Sequence, residues 1–257
     1  MQNALLVGLS RQMALSRELD VVANNIANIE TTGYKADNAA FSQYLMPGAR
    51  DKDFVGGDQR ISFVHDHATW IDLSPGALER TGNPLDVAID GKGFLVVQTP
   101  RGQRYTRSGA LGVNATGQLV TSEGDQVLGA GGPITLQPTD HNVSISPSGM
   151  VTVREGSSTV DSQRGKLQLV EFDRPHLLQK DGGSTFLAPA NVNATPASPN
   201  TRLVQGSLEK SNVRAVVEMA RMIEITRSYT DIANIIQQQG DMRRNSLQQL
   251  AQAPTSS

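Results

Sequence analysis

The sequence contains no cysteine and few large aromatic side chains. Phenylalanine, tyrosine and tryptophan together make up 4% of the 257 residues, and there is a single tryptophan. Without cysteine the chain forms no disulfide and no thiolate site. Hydrophobic residues account for 38% of the chain, below the roughly 45–50% that is usual in globular domains. We therefore expect one modest core, together with apolar segments that are buried elsewhere.

The sequence also lacks a strong charge excess and any long apolar run. Its 23 Lys and Arg residues nearly balance its 25 Asp and Glu residues, which gives a formal net charge of −2. Because no basic stripe is present, we expect no nucleic acid partner. No run approaches the roughly 20 apolar residues of a membrane helix, so we expect no membrane insertion. Residues 1–20 do not have the pattern of a cleaved signal peptide.

Near the N-terminus, apolar side chains recur at spacings of four and three residues, which is the period of a coiled-coil seam. This seam consists of Leu15, Leu19, Val22, Ile26 and Ile29. It predicts a helix over residues 3–29. Three amides lie beside the seam, namely Asn24, Asn25 and Asn28, although helix interiors usually avoid asparagine. Thr32 and Gly33 follow, and glycine commonly ends a helix. The pattern is typical of a docking surface rather than of a catalytic pocket.

A second seam with the same period lies near the C-terminus. It consists of Met222, Ile225, Tyr229, Ile232 and Ile236. Ser211 or Asn212 is suited to cap the predicted helix. A second apolar face, on which Val216 and Ile223 lie, adds to this seam. Each helix thus carries more apolar surface than one partner covers, which predicts contacts with other subunits.

Between these helices the pattern changes to short strands with frequent turns. From residue 76 to about 205, apolar and polar residues alternate and glycine turns recur, as in the Asp90-Gly91 hairpin signal. The predicted fold is α+β, with N- and C-terminal helices that pair as a coiled coil, an extended linker and a central all-β domain. The predicted domains are a coiled-coil helix (1–35), a linker or extension (36–75), a β domain (76–205), a coiled-coil helix (206–250) and a disordered tail (251–257).

Chemical motifs are weak throughout. His65 and His67 would share one face of a strand, but two ligands without a third make a poor metal site. The segment Gly91-Lys92-Gly93 lies in a hairpin and lacks the spacing of a phosphate-binding loop. We therefore predict no catalytic residue, no metal, no cofactor and no enzyme activity.

Several longer stretches resemble the bacterial flagellar rod and hook protein family, and they occur in that family's order. They are ANNIAN with TTGYK (23–28 and 31–35), TGNPLDVAIDGKGFLVV (81–97), YTRSGALGVNATGQLVTSEGDQVLG (105–129) and GSLEKSNVRAVVEMARMIEITRSY (206–229). The length of the chain fits the two larger rod proteins of the family. The segments NALLVGLSRQ (3–12) and EMARMIEITRSY (218–229) are most similar to proximal rod proteins, and distal rod proteins are the alternative. Glu30 departs from the family pattern, in which an amide is more usual.

The resemblance implies a structural role. The terminal helices would pair along the inner wall of a tubular rod, with the β domain outside them. The subunit would leave the cell through the flagellar type III export apparatus without a cleaved signal. It would assemble helically with itself and with related rod subunits in the periplasm, and the rod would transmit torque from motor to hook. The two seams, the three amides, Thr32 and Gly33 are the expected assembly interface, and the amides would fix helix register between subunits.

Two other classes of protein stay open on the residues alone. A β-rich carbohydrate-binding protein or enzyme with helical arms would need aromatic platforms, and the single Trp70 argues against it. A soluble coiled-coil adaptor would explain the helices but not the strand-rich middle.

Overall fold

The computed structural model describes residues 2–46, 61–156, 158 and 160–252. The chain divides into two compact units. The first, here called the helical unit, comprises residues 1–26, 37–70 and 214–257, and the second, here called the β unit, comprises residues 27–36 and 71–213. Helices at both ends and a strand-rich middle confirm the predicted α+β class.

The helical unit contains two long helices and a β-hairpin. Helix α1 spans Gln2–Ala27 and helix α2 spans Ala215–Gln252. Strands β1 (Asp37–Met46) and β2 (Ile61–Ile71) form a two-stranded sheet. These strands occupy most of the segment for which the sequence predicts a linker or extension. The two strands pair with each other. The periodicity of one strand in the sequence does not show which other segment it pairs with.

Helix α2 begins at Ala215, nine residues after the predicted boundary at 206. The reason is that Ser207–Glu209 forms a strand instead. Neither Ser211 nor Asn212 caps the helix, because Arg214 is the residue that directly precedes Ala215. The amides of Val217 and Glu218 donate to the Arg214 carbonyl in the first turn. Helix α2 continues to Gln252, so the first two residues of the predicted disordered tail are helical. The rest of that predicted tail, residues 253–257, lies outside the described part of the chain.

The β unit is built from many short strands, as the turn-rich sequence predicts. In chain order they are β3 (Leu78–Arg80), β4 (Val87–Asp90), β5 (Phe94–Thr99), β6 (Gly102–Thr106), β7 (Leu111–Val113), β8 (Leu119–Thr121), β9 (Gln126–Gly129), β10 (Gly132–Pro133), β11 (Asp140–Ile145), β12 (Met150–Glu155), β13 (Asp161–Lys166), β14 (Leu169–Phe172), β15 (Gln179–Lys180), β16 (Thr185–Leu187), β17 (Ala194–Pro196), β18 (Arg202–Gln205) and β19 (Ser207–Glu209). Pro175–Leu177 forms a 3₁₀ turn.

Most of these strands belong to one sheet of ten. Its main path runs β15-β16-β6-β5-β9-β8-β7, while β10 pairs with β9, β14 with β5, and β17 with β14. Strands β11, β12 and β13 form a separate antiparallel sheet. The last two strands return to the first ones, since β18 pairs with β4 and β19 with β3. Residues 202–209 are therefore part of the β unit and pair with its first strands. The predicted boundary between the β domain (76–205) and the C-terminal helix (206–250) falls within this segment.

Two buried clusters form the core of the β unit. One contains mostly aliphatic side chains, including Val87, Leu95 and Val151. The other contains Phe94 and Phe172, whose ring centroids lie 5.6 Å apart in an edge-to-face arrangement. Phe186 belongs to the same cluster and Tyr105 packs against it, so large aromatic side chains fill the space between these strands.

Candidate assembly interface and buried ionic cluster

The two predicted seams contribute to one hydrophobic cluster in the helical unit. Leu15, Val22 and Ile225 are buried in it, and Val22 is 0% exposed. Five more seam residues are partly buried against these three, namely Leu19, Ile26, Met222, Tyr229 and Ile232. The seam arises because spacings of three and four residues place these side chains on one face of each helix.

The ends of the two seams differ from the prediction. Helix α1 ends at Ala27, so Ile29 lies beyond the helix and belongs to the β unit, where it is half-buried. Ile236 is half-buried and lies against α1, since a Cβ atom on Gly8 would be 3.1 Å from its Cγ1 atom. The glycine thus allows close approach of the two helices at this point.

An ion pair and a buried carboxylate also connect elements of the helical unit. Arg221 Nη2 donates to Glu18 Oε1 at 2.8 Å, which links α2 to α1. Glu218 is only 9% exposed, and its Oε2 atom lies 3.5 Å from Asn25 Nδ2. Polar contacts therefore flank the apolar seam on α2.

The three predicted amides have different environments. Asn25 is 0% exposed. Its Nδ2 donates to the Asp37 carbonyl at 2.8 Å, and its Oδ1 accepts from the Asp37 amide at 2.9 Å. Asn24 is exposed, while Asn28 is half-buried and its Oδ1 accepts from the Thr31 hydroxyl at 3.1 Å. Asn25 thus ties α1 to the start of β1 within one subunit.

Gly33 has the left-handed conformation that the sequence predicts, with φ +69°. Its position also excludes any side chain, since a Cβ atom would lie 2.4 Å from the Ser108 amide nitrogen and 2.5 Å from the Arg107 carbonyl carbon. The Gly33 amide donates to the Glu209 carbonyl at 2.7 Å. Thr32, beside it, is half-buried. The predicted helix stop is therefore also a close contact between distant parts of the β unit.

Next to Gly33 lies a cluster of three buried charges, Lys35, Arg107 and Glu209. Lys35 Nζ donates to Glu209 Oε1 at 2.6 Å, and Arg107 Nε donates to Glu209 Oε2 at 2.9 Å. The three residues are 0%, 2% and 1% exposed, respectively. Two cations thus share one carboxylate.

Burial and ion pairing shift the pKa values of Lys35 and Glu209 in opposite directions. Burial lowers the pKa of Lys35, and the Glu209 carboxylate opposes that shift. Burial alone would raise the pKa of Glu209, but the positive charges of Arg107 and Lys35 outweigh it and hold that pKa below its usual value. The two cations therefore stabilise the ionised form of the buried Glu209 carboxylate.

Sequence reasoning missed this cluster, although each member lies in one of the resembling stretches. Lys35 ends TTGYK, Arg107 lies in YTRSG, and Glu209 lies in GSLEK. Each is a charged residue close to a glycine turn. A search for charges of opposite sign beside glycine turns would have selected them, but their mutual contact depends on the tertiary fold.

Asn212, predicted as a helix cap, has another role. Its Oδ1 accepts from the Ala36 amide at 2.8 Å, and its Nδ2 donates to the Asp72 carbonyl at 2.8 Å. It therefore holds residues 36 and 72 of the β unit, which lie just before β1 and just after β2. This use of asparagine resembles that of Asn25, since both side chains bind backbone groups.

Each helix also carries exposed apolar side chains away from the shared cluster. On α2, Val216, Met219 and Ile223 are 78%, 49% and 55% exposed and are spaced to lie on one face. On α1, Leu9 and Met13 are 46% and 59% exposed. Such neighbouring apolar side chains are typical of surfaces that bind another protein.

One depression and the potential metal ligands of the described residues bear on small-molecule binding. An open depression of about 530 Å³ in the β unit is lined by Pro147, Ser148, Lys166, Leu167, Leu169, Pro196, Ala197, Ser198, Pro199, Thr201 and Arg202, without an aromatic platform. Within the described residues there is no group of three or more potential metal ligands. The side chains of His65 and His67 lie outside the described part. Neither described helix is long and apolar enough to span a bilayer.

Comparisons with known proteins match both ends and the middle of the chain. Three family models match: flagella basal body rod protein over residues 5–35, flagellar hook protein FlgE/F/G D1 domain over 88–153, and flagellar basal body rod FlgEFG protein C-terminal over 204–250. These ranges contain the α1 seam, part of the β unit with Arg107, and the α2 seam with Glu209.

Relatives match over nearly the whole length. The flagellar basal-body rod protein FlgF of Caulobacter vibrioides is 38% identical over 97% of this chain and 98% of its own, and FlgF of Mesorhizobium japonicum is 33% identical over 93% of each. FlgG of Agrobacterium fabrum is 34% identical over 91% of this chain and 94% of its own. The chain therefore belongs to the flagellar basal-body rod protein family and is a structural subunit of the rod.

Proposed function

We propose that this subunit belongs to the proximal part of the rod and that its two helices are its assembly elements. The proximal position is supported by the 38% identity to Caulobacter vibrioides FlgF, compared with 34% to Agrobacterium fabrum FlgG. The distal position is the alternative, since relatives named FlgG also cover most of the chain.

The observation that carries the assembly proposal is the presence of two apolar surfaces on α2. One surface contains Ile225, which is 4% exposed in the cluster shared with α1. The other contains Val216 and Ile223, which are more than half exposed. Fully covering one such side chain contributes about 1.5–3 kcal/mol. A second helix from a neighbouring subunit would supply that burial.

In the proposed rod, α1 and α2 of each subunit pair as a coiled coil and copies stack helically with related rod subunits. Heptad packing of this kind resists sliding of one helix past the other, because each seam side chain fits between four on the partner. We propose that this packing lets the rod transmit torque from motor to hook. We also propose that the subunit has a purely structural role and reaches the periplasm through the type III export apparatus.

Aspartate substitutions on α2 test the proposal. Ile223→Asp should leave the subunit folded and exported but should prevent its incorporation into basal bodies, because a charge would enter a buried contact between subunits. Asn234→Asp is the matched control, since Asn234 is an exposed polar residue of the same helix. Normal motility of the Ile223→Asp strain would contradict the proposed surface.

The proximal position is tested separately by complementation. The wild-type gene should restore motility to a strain that lacks its FlgF and should not do so in a strain that lacks its FlgG. Electron microscopy of basal bodies that carry a tagged subunit would then locate it along the rod. The reverse complementation pattern would favour the distal alternative.

A further inference from the structure

Two small apolar patches lie on the helical unit outside the cluster that α1 and α2 share. The α2 patch consists of Val216, Met219 and Ile223, which are 78%, 49% and 55% exposed. The α1 patch consists of Leu9 and Met13, which are 46% and 59% exposed. In each patch the side chains recur every three or four residues, so they lie on one face of their helix. Each patch therefore offers a short apolar ridge to another helix.

The two patches face in opposite directions. Ile225 of α2 and Val22 of α1 are buried in the shared cluster, so they mark the sides on which the two helices meet. At about 3.6 residues per turn, Ile223 lies roughly 160° around α2 from Ile225. Met13 lies roughly 180° around α1 from Val22. The α2 patch thus points away from α1, and the α1 patch points away from α2.

The patches also lie at different heights along the helix pair. Arg221 of α2 bonds to Glu18 of α1. Ile236 of α2 lies against Gly8 of α1. The helices therefore run antiparallel, and the α2 patch lies near the level of Arg221 while Leu9 lies near the level of Ile236. At about 1.5 Å per residue, the two patches are separated by roughly 15–20 Å along the pair.

Polar side chains bound both patches. On the outer face of α2, Arg227, Thr230 and Asn234 come next, and all three are exposed. On the outer face of α1, Ser16 and Asp20 come next, and both are exposed. Each apolar patch therefore covers only about two helical turns and fits a partner patch of similar length.

A rod grows by adding copies, and this requirement limits how the patches are covered. If the α2 patches of two copies packed on each other, the contact would be two-fold and would close as a dimer. A contact between two different surfaces instead leaves one of each free on the growing assembly. The chain is a structural subunit of the rod, and its two patches face opposite ways. A second copy in the same orientation therefore brings its α1 patch against the α2 patch of the first.

We propose that the α2 patch of one subunit packs on the α1 patch of the next copy, which is displaced by roughly 15–20 Å along the helix pair. The contacting helices then run antiparallel, and Ile223 meets Leu9. One turn away Met219 meets Met13, since both patches have a four-residue spacing at these positions. The contact rests on the assembly role proposed above for the helices, and it specifies which face of the next copy covers α2.

Pairs of introduced cysteines test this contact in purified basal bodies, because the chain has no cysteine of its own. A subunit that carries Ile223→Cys and Leu9→Cys should, after mild oxidation, migrate as dimers and higher multiples on non-reducing gels. The pair Met219→Cys and Met13→Cys should behave in the same way. Within one subunit the two positions of a pair lie on opposite outer faces, whereas the Cα atoms of a disulfide lie within about 7 Å of each other. The crosslinks therefore report contacts between subunits.

Single variants distinguish a contact between two different surfaces from a contact of one surface with itself. A strain that makes both an Ile223→Cys subunit and a Leu9→Cys subunit should give dimers and no higher multiples, because each copy has one thiol. Either variant alone should stay monomeric. Asn234→Cys combined with Leu9→Cys is the matched control. Asn234 is exposed on the outer face of α2 but lies about 16 Å from Ile223 along the helix, so this pair should give no crosslink.

Two results would overturn the proposed contact. Dimers from the Ile223→Cys variant alone would do so, because the α2 patches would then meet each other. Loss of all crosslinks from both double variants, in basal bodies that contain the subunit, would also do so, because another surface would then cover the α2 patch. Neither result contradicts assembly through the helices, which fails only if the Ile223→Asp strain forms normal rods.

Discussion

Replacing Asn25 by leucine should destabilise the helical unit, even though leucine is the better helix former. Asn25 is 0% exposed, and its amide binds both backbone groups of Asp37. Leaving each of those groups without its partner costs about 1–3 kcal/mol. The apolar leucine side chain returns roughly 1–2 kcal/mol through burial. We therefore expect a net loss of about 1–4 kcal/mol.

Asn24→Leu is a closely matched control, because Asn24 is the preceding residue of the same helix and is exposed. It should change stability by no more than about 0.5 kcal/mol. Urea unfolding followed by far-UV circular dichroism measures both variants, and exchange of the Asp37 amide reports the lost bond directly. Equal stability of the Asn25→Leu variant and the wild type would refute the role assigned to Asn25.

The same pair of variants separates folding from assembly. The hypothesis that the three amides fix helix register between subunits is tested most directly at Asn24, because its side chain is at the surface. If it holds, Asn24→Leu should fold normally but assemble poorly. Motile cells with normal rods would count against a register role for Asn24, whatever the result at Asn25.

Three further predictions concern other parts of the chain. Gly33→Ala should cost about 1–2 kcal/mol for the left-handed backbone alone, and more through the contact with Ser108, so the neighbouring Tyr34 and Ala36 amides should lose protection in exchange measurements. Val22→Asp should cost about 3–5 kcal/mol by placing a charge in the seam, and unfolding curves should show it. Arg164 holds the pKa of Asp140 below its usual value, so this pair stabilises the β unit above the unfolded pKa near ~3.9, and the gain is lost as pH falls through the folded pKa. Asp140→Asn should remove that acid dependence of the melting temperature, and an unchanged pH profile would contradict the assignment.

The parts of the fold that sequence predicts well are those set by local periodicity. Spacing alone predicts that Val22 and Ile225 belong to the seams, and the structure buries both in one cluster. The place of Gly33 after an apolar period likewise predicts a left-handed residue, and its φ of +69° confirms that prediction. In both cases the prediction depends only on the residue types a few positions before and after the residue concerned.

The parts that sequence does not predict depend on contacts between distant residues. Strand β19 interrupts the predicted C-terminal helix because Ser207 pairs with Arg80, which is more than a hundred residues earlier in the chain. Asn212 caps no helix because Ala36 and Asp72 use its side chain. A side-chain amide can cap a helix or can bind backbone groups of distant segments, so the residue type alone does not predict which of these two roles it has.

The buried ionic cluster gives a physical reason for treating the three matched segments as one structural element. Lys35 ends the first segment, Arg107 lies in the second, and Glu209 lies in the third. Removing Glu209 would leave two buried cations 0% and 2% exposed with no carboxylate between them. Removing Lys35 would leave a neutral pair. The carboxylate on β19 is therefore the member on which the other two depend.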